Sequence, residues 1–333
     1  MKNNIFIFIL AGYLLAACNS PDGSKRMEKD RSARMESVKI PDFNEDSAYH
    51  FIKQQVDFGP RVPNTPAHQK CAEFLVQKLR GYLPDVKVQA ARVKAFDGTV
   101  LDIKNIIGSL EPGNNNRIFL CAHWDSRPFA DHDPDAGNHK KPIDGANDGA
   151  SGVGVLLEVA RQLSMVKPPI GIDIIFFDAE DYGPPQDQKL LEDTGDWWGL
   201  GSQYWSNQQH VETYFAKYGI LLDMVGAPGA TFLKEGFSME YAPDIVDKVW
   251  RTANRIGYSA YFYFENGTYI NDDHYYINKI RKIPTIDIIH LDKTSKTGFN
   301  HTWHTVNDNL DGIDKNTLKA VGQTLLTVIY EEK

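Results

Sequence analysis

Two adjacent acids close the apolar run Ile174-Ile175-Phe176-Phe177-Asp178-Ala179-Glu180-Asp181, and acids or histidines recur at similar places elsewhere in the chain. The companions are His123 in Cys121-Ala122-His123-Trp124-Asp125, Asp148 in Gly145-Ala146-Asn147-Asp148-Gly149, Asp223 after Leu221-Leu222, the run Asn271-Asp272-Asp273-His274, and His304 in Thr302-Trp303-His304-Thr305. Carboxylate oxygen and imidazole nitrogen are the donors that zinc takes in catalytic sites, typically three from the protein with one position left open. Asp148, one member of the acidic pair and His304 make such a set. Neighbouring side chains on an extended segment point in different directions, so Glu180 and Asp181 divide the work: one faces metal, the other substrate. A polarised carbonyl beside a carboxylate that moves protons is the minimal apparatus for attack on an amide.

The elements needed to position these groups are legible as periodicity. Helical spacing begins near Asp46 with Phe51, Ile52 and Val56, and again after Thr65-Pro66 with Cys71, Phe74, Leu75 and Leu79. Alternation from Val86 to Val93 and from Val100 to Ile107, then the run Ile118 to Cys121, predicts strands. A helix follows from Val153 to Leu163, and Ile172 to Phe177 reads as a strand covered on both faces. A strand at Ile220-Leu221-Leu222, a helix over Ile245 to Ile256, a strand over Thr285 to Ile289 and a last helix over Asn316 to Tyr330 complete the alternation. The class is α/β, with three layers: a central mixed, largely parallel sheet flanked by helices. Ligands of such sheets bind beyond the carboxyl ends of the strands, where His123, Glu180, Asp181 and Asp223 all fall.

With 333 residues, 42% apolar content and a formal net charge of -8, the chain can bury a large core and lacks the clustered cations that nucleic acid requires. The apolar stretch Ile5 to Ala17 after Lys2 is too short to span a bilayer as a helix and suits a secretory leader. It ends in Leu15-Ala16-Ala17-Cys18, which resembles a bacterial lipoprotein box. The expectation is a lipoprotein signal peptide over 1–17, a flexible tether over 18–43 and one zinc-dependent domain over 44–333. Lipid on Cys18 would hold an exported protein at the membrane, facing the periplasm, and Asn19 in place of aspartate favours the outer membrane. Cys71 and Cys121 have no metal or disulfide spacing and are expected as buried free thiols.

The ordered set Asp148, Glu180-Asp181, Asp223 and His304 resembles the co-catalytic zinc aminopeptidase family. Phe177-Asp178-Ala179-Glu180-Asp181, Leu222-Asp223-Met224-Val225-Gly226-Ala227-Pro228, Asp272-Asp273-His274 and Trp303-His304-Thr305-Val306-Asn307-Asp308-Asn309 narrow the likeness to glutaminyl-peptide cyclotransferases of the animal type. The resemblance implies zinc on Asp148, Asp181 and His304, Glu180 as proton carrier, and Asp223 and Asp272 as a hydrogen-bonded acidic network beside it. It also implies a substrate pocket lined by Ile270, Phe299 and Trp303, and substrates that are peptides or proteins with N-terminal glutamine, converted to pyroglutamate with release of ammonia.

The chain departs from that pattern in places. Vertebrate-type cyclases carry glutamate where this chain has Asp181, and the segment after the acidic pair is altered, with Pro184-Pro185 and an insertion-like 186–196. The pocket tryptophan expected there is missing, leaving Trp197 or Trp198 as substitute, of which Trp198 is taken as the pocket residue. Val153 stands where the animal family has the partner of a disulfide cysteine near Cys121, so no bridge is expected. The competing enzyme is a two-zinc aminopeptidase, with His123, Asp148 and Asp223 completing a second metal site. A non-catalytic binding module would lack metal altogether.

Overall fold

The computed structural model describes residues 39–186, 188 and 195–333; the expected signal peptide, Cys18, nearly all of the tether and most of the insertion-like segment lie outside the described residues. Helices α1 (Glu45–Val56) and α2 (Pro66–Tyr82) lead into strands β1 (Asp85–Lys94), β2 (Val100–Leu110) and β3 (Arg117–His123). Helix α3 (Ala150–Met165), β4 (Gly171–Phe177), α4 (Leu200–Asn207) and β5 (Gly219–Asp223) follow. Then come β6 (Phe232–Lys234), α5 (Gly236–Tyr241), α6 (Pro243–Arg255), β7 (Phe262–Asn266), α7 (Asp273–Tyr276), β8 (Thr285–Ile289) and α8 (Lys315–Glu331).

Six strands form one sheet in the order β1-β2-β4-β3-β5-β8. The pairs β1/β2 and β2/β4 are antiparallel, whereas β4, β3, β5 and β8 run parallel, so the sheet is mixed with a parallel half. Period-2 alternation splits the strand side chains between two apolar layers. Ile118, Leu120 and Ala122 of β3 and Ile172, Ile174 and Phe176 of β4 join the large core, which also takes residues of α1, α2, α3, α6 and α8. Phe119, Cys121, Ile175 and Phe177 join the opposite layer with Trp205 and Ile277. Burial on both faces explains why β3 and β4 read as largely apolar runs, and the ion pair between them, Arg117 with Asp173 at 2.7 Å, is buried. The pairing β6/β7 and the short helices α4, α5 and α7 have too little periodicity to be read from sequence.

Phe43 corrects one expected boundary. It is 1% exposed, and a Cβ on Gly322 of α8 would lie 2.1 Å from its ring, so the glycine makes room for it. The compact unit therefore begins at Ile40, and residues 40–43 are not tether. Among the described residues no helix is long and apolar enough to cross a membrane.

Cys71 and Cys121 are buried and free, as expected. Burial pushes the Cys71 thiol up to about 12 and raises Cys121 well above its ordinary value. Since the thiolate is the nucleophile, iodoacetamide at neutral pH should leave both untouched in the folded protein and alkylate both in guanidinium, as read by peptide mass.

Candidate active site

Four parallel strands end on one side of the sheet, and the loops that leave them carry the acids. At the end of β3 comes His123, then Asp125, whose carboxylate accepts from the backbone N–H groups of Glu180 (3.0 Å) and Asp181 (3.2 Å). One buried carboxylate thus holds the loop after β4 against the loop after β3. Ala179, just before the pair, sits at φ 52°, a left-handed conformation that turns Glu180 and Asp181 out of the strand direction. Asp125→Asn should leave one of those two N–H groups facing an amide N–H and loosen the turn. The expected result is metal affinity weakened about 10–100-fold, measured by competition with a chromogenic chelator.

Asp148 sits in the turn Gly145–Gly149 ahead of α3. Both glycines have positive φ, and a Cβ on Gly149 would stand 2.5 Å from the Asp125 carbonyl and 3.1 Å from the His123 ring, so the turn can press against β3 only with glycine there. Asp308 accepts from the N–H groups of Asn147 (2.8 Å) and Asp148 (3.0 Å), fixing the turn from the other side. Burial, and then the charge of Asp148, push Asp308 up to about 7.

The donors meet in two overlapping groups that share Asp148. His304 Nε2 lies 3.3 Å from Asp181 Oδ1 and 3.6 Å from Asp148 Oδ2, and His123 Nε2 lies 3.1 Å from Asp148 Oδ1 and 3.2 Å from Asp223 Oδ1. Within each trio the candidate ligand atoms fall within 4.8 Å of one another. Among the described residues Asp181 Oδ2 is buried without a hydrogen-bond partner. An orphaned carboxylate oxygen beside a second carboxylate and an imidazole fits zinc, which takes this donor set tetrahedrally. Outer contacts hold the donors in place: Arg127 Nη1 is 3.2 Å from Asp181 Oδ1 while its Nε and Nη2 grip Asp131, and Asp131 Oδ1 stands 3.4 Å from His304 Nδ1.

Glu180 and Asp181 diverge as their adjacency requires. Asp181 faces His304. Burial and then the charge of Asp272 push Glu180 well above the ordinary glutamate range, and Glu180, Asp223 and Asp272 line the same cavity. Burial likewise raises Asp272, and it pushes Asp223 up to about 7 although His123 opposes the shift. His123 and His304 are opposed by burial yet raised by the carboxylates around them.

All ten residues singled out for catalysis, substrate or metal, namely Asp148, Glu180, Asp181, Trp198, Asp223, Ile270, Asp272, Phe299, Trp303 and His304, line one cavity of about 260 Å³. His123 stands behind it. Trp198 takes the pocket place rather than Trp197: its ring lies parallel to His304 (13°, 6.4 Å) with the Arg127 guanidinium 5.0 Å over it. Gly183 permits this, because a Cβ there would be 2.4 Å from the indole. Sequence reasoning gave no role to Tyr269, Asn271, Met224 and Ile289, which complete the lining, or to Arg127 and Asp131. The i, i+4 spacing of Arg127 and Asp131 and the position of Tyr269 and Asn271 beside Ile270 were the available signals.

The sequence model of peptidase family M28 matches residues 105–329, which span all the site residues. Among solved structures, glutaminyl cyclase of Bacteroides thetaiotaomicron bound to N-acetylhistamine is 56% identical with a TM-score of 0.85, covering 89% of this chain and 100% of that one. A Zn-dependent exopeptidase from Parabacteroides distasonis is 54% identical with a TM-score of 0.86, over 88% of this chain and 99% of its own. The glutaminyl-peptide cyclotransferase of Dictyostelium discoideum is 24% identical across 97% of this chain and 96% of its length. With that match over two thirds of its length, and with the three-layer fold already on these grounds expected, the chain belongs to peptidase family M28.

Proposed function

We propose that the chain is a zinc-dependent glutaminyl-peptide cyclotransferase, forming pyroglutamate from N-terminal glutamine of peptides and proteins. The observation that carries this reading is the trio Glu180, Asp223 and Asp272 beside the donor set in one cavity of about 260 Å³. Asp148, Asp181 and His304 would hold one zinc ion, which when bound would polarise the γ-carbonyl of the glutamine.

The rest falls to the chain's own side chains. The α-amine is already tethered to its target, so positioning supplies the nucleophile and no activated water is needed. As the α-nitrogen bonds to the γ-carbon, Glu180 accepts an amine proton, and it returns that proton to the amide nitrogen as the carbon–nitrogen bond breaks and ammonia leaves. A carboxyl raised toward neutrality by burial and by Asp272 suits both halves of that transfer. Asp272 and Asp223, both raised, would share a proton and keep Glu180 in place. Ile270, Phe299, Trp303 and Trp198 wall the cavity and exclude the water that would hydrolyse the amide.

The second reading rests on His123, Asp148 and Asp223, whose ligand atoms are close enough for another ion. A metal there would bind the substrate α-amine and favour two-metal hydrolysis of the first peptide bond. The two readings compete for Asp223. Incubation with a Gln-initiated peptide separates them by mass: an intact chain lighter by ammonia supports the cyclase, and free glutamine sinks it. Elemental analysis should give one zinc per chain. The Leu15-Ala16-Ala17-Cys18 sequence supports export and lipid anchoring on Cys18, with the domain facing the periplasm at the outer membrane.

A further inference from the structure

With the glutamine γ-amide at the donor set Asp148, Asp181 and His304, the rest of a peptide substrate must leave by the open side of the cavity. Of the residues that line it, only Tyr269 and Asn271 are exposed, Tyr269 at 59%, while the others are buried or half-buried. The chain therefore leaves past Tyr269. That ring is held by design of its surroundings: a Cβ on Gly236 would stand 2.6 Å from it, so the ring packs flat on the glycine backbone. Phe237 meets it edge-on, with centroids 4.8 Å apart at 73°, and Tyr275 lies 4.4 Å beyond Phe237. Tyr269, Phe237 and Tyr275 thus form a row of touching rings that starts at the cavity lining, the latter two half-buried.

A single buried carboxylate fixes this surface to the pocket wall. Glu235, 0% exposed, accepts from the N–H groups of Phe237 (2.9 Å), Ser238 (2.7 Å) and Ile270 (2.9 Å), and lies 2.9 Å from His274 Nε2. Gly236 N–H donates to the Thr268 carbonyl (2.8 Å) from the same junction. The start of α5, the wall residue Ile270 and the start of α7 are thus one rigid piece. Such a surface binds without an ordering cost.

We infer that Tyr269 and Phe237, backed by Tyr275, form a subsite for the second residue of the peptide substrate and select an aromatic or large apolar side chain there. This rests on the cyclotransferase reading. The face of Tyr269 turned away from Gly236 takes the side chain, and the cavity takes the glutamine.

The test compares the dipeptide amides Gln-Phe and Gln-Gly. The wild-type protein should show kcat/KM higher for Gln-Phe by roughly 2- to 12-fold, the range of one aromatic pair. Tyr269→Ala should bring the ratio to about one, and Tyr269→Phe should retain it; the side chain is exposed, so these variants are not expected to disturb folding. Equilibrium binding of the same two peptides to the inert variant E180Q should show the same preference. Equal handling by the wild type, or a ratio unchanged in Tyr269→Ala, overturns the subsite alone. Release of free glutamine in place of ammonia overturns the cyclotransferase reading, and the ratio of that release still decides the subsite. Binding of neither peptide overturns both.

Discussion

Glu180→Gln should lower kcat on a Gln-initiated peptide by roughly 10²–10⁴-fold, the usual share of a positioned proton carrier, with the zinc content unchanged. The substitution keeps the shape of the side chain and removes its capacity to accept and return a proton. The loop should not move, because what Asp125 holds is the backbone N–H of residue 180 and not its side chain. Glutamine also relieves a buried carboxyl that burial and Asp272 both oppose, so the melting temperature should hold or rise. Steady-state kinetics, elemental analysis and thermal unfolding on one preparation check all three. Unchanged turnover would remove Glu180 from the proton transfer.

Asp181→Ala should do the reverse: metal is lost on dialysis, and activity goes with it. Asp181 is one of three donors, and its removal leaves Asp148 and His304 alone. The weakening should exceed the 10–100-fold expected from an outer partner such as Asp125. The fold should survive, since Arg127 keeps its two bonds to Asp131 at 2.7 and 2.8 Å and is not left as an unpaired buried charge. Asp181→Glu, which places the longer carboxylate of the vertebrate-type pattern there, should keep the metal. Full metal content in Asp181→Ala would reassign the ligand set. Together the two variants turn an adjacent pair of acids into a test in which one loses chemistry and keeps metal while the other loses both.

How much of this was legible depends on where each residue sits. His123, Glu180, Asp181 and Asp223 end strands whose apolar runs are unmistakable because both faces of the sheet are buried, so the sheet itself points to them. Asp272 and His304 come from loops with no periodicity and stood out only by residue type, His304 as a zinc donor, while Ile270, Phe299 and Trp303 came to the site only through the likeness to a known family. The ground for Trp198 over Trp197 is visible only in the fold, because it turns on the space above Gly183. Asp125 and Asp308 act through backbone N–H groups far away in sequence, and nothing local distinguishes such an acid from one on a solvated turn. Tyr269 escaped for a different reason: an exposed tyrosine becomes informative only when the cavity beside it is known. The boundary at residue 44 was misplaced because composition sees the charged approach but not the slot beside Gly322 that receives Phe43.

Ala179 is one of three non-glycine residues with left-handed backbone at or next to residues of the reaction centre; Met224, at φ 50°, follows Asp223, and His304 itself sits at φ 54°. Each such conformation costs on the order of 1–2 kcal/mol in an L-residue. Glycine would adopt it freely, but with a looser unfolded chain and a loop no longer stiffened by a side chain. At Met224 the relief would be outweighed by the loss of a buried side chain packed with Leu233, Ile289 and Leu291. A laboratory selection for heat resistance alone would therefore find its candidate gain at Ala179, next to Glu180, and the most stable sequence for this fold and the most active one should part company at that position.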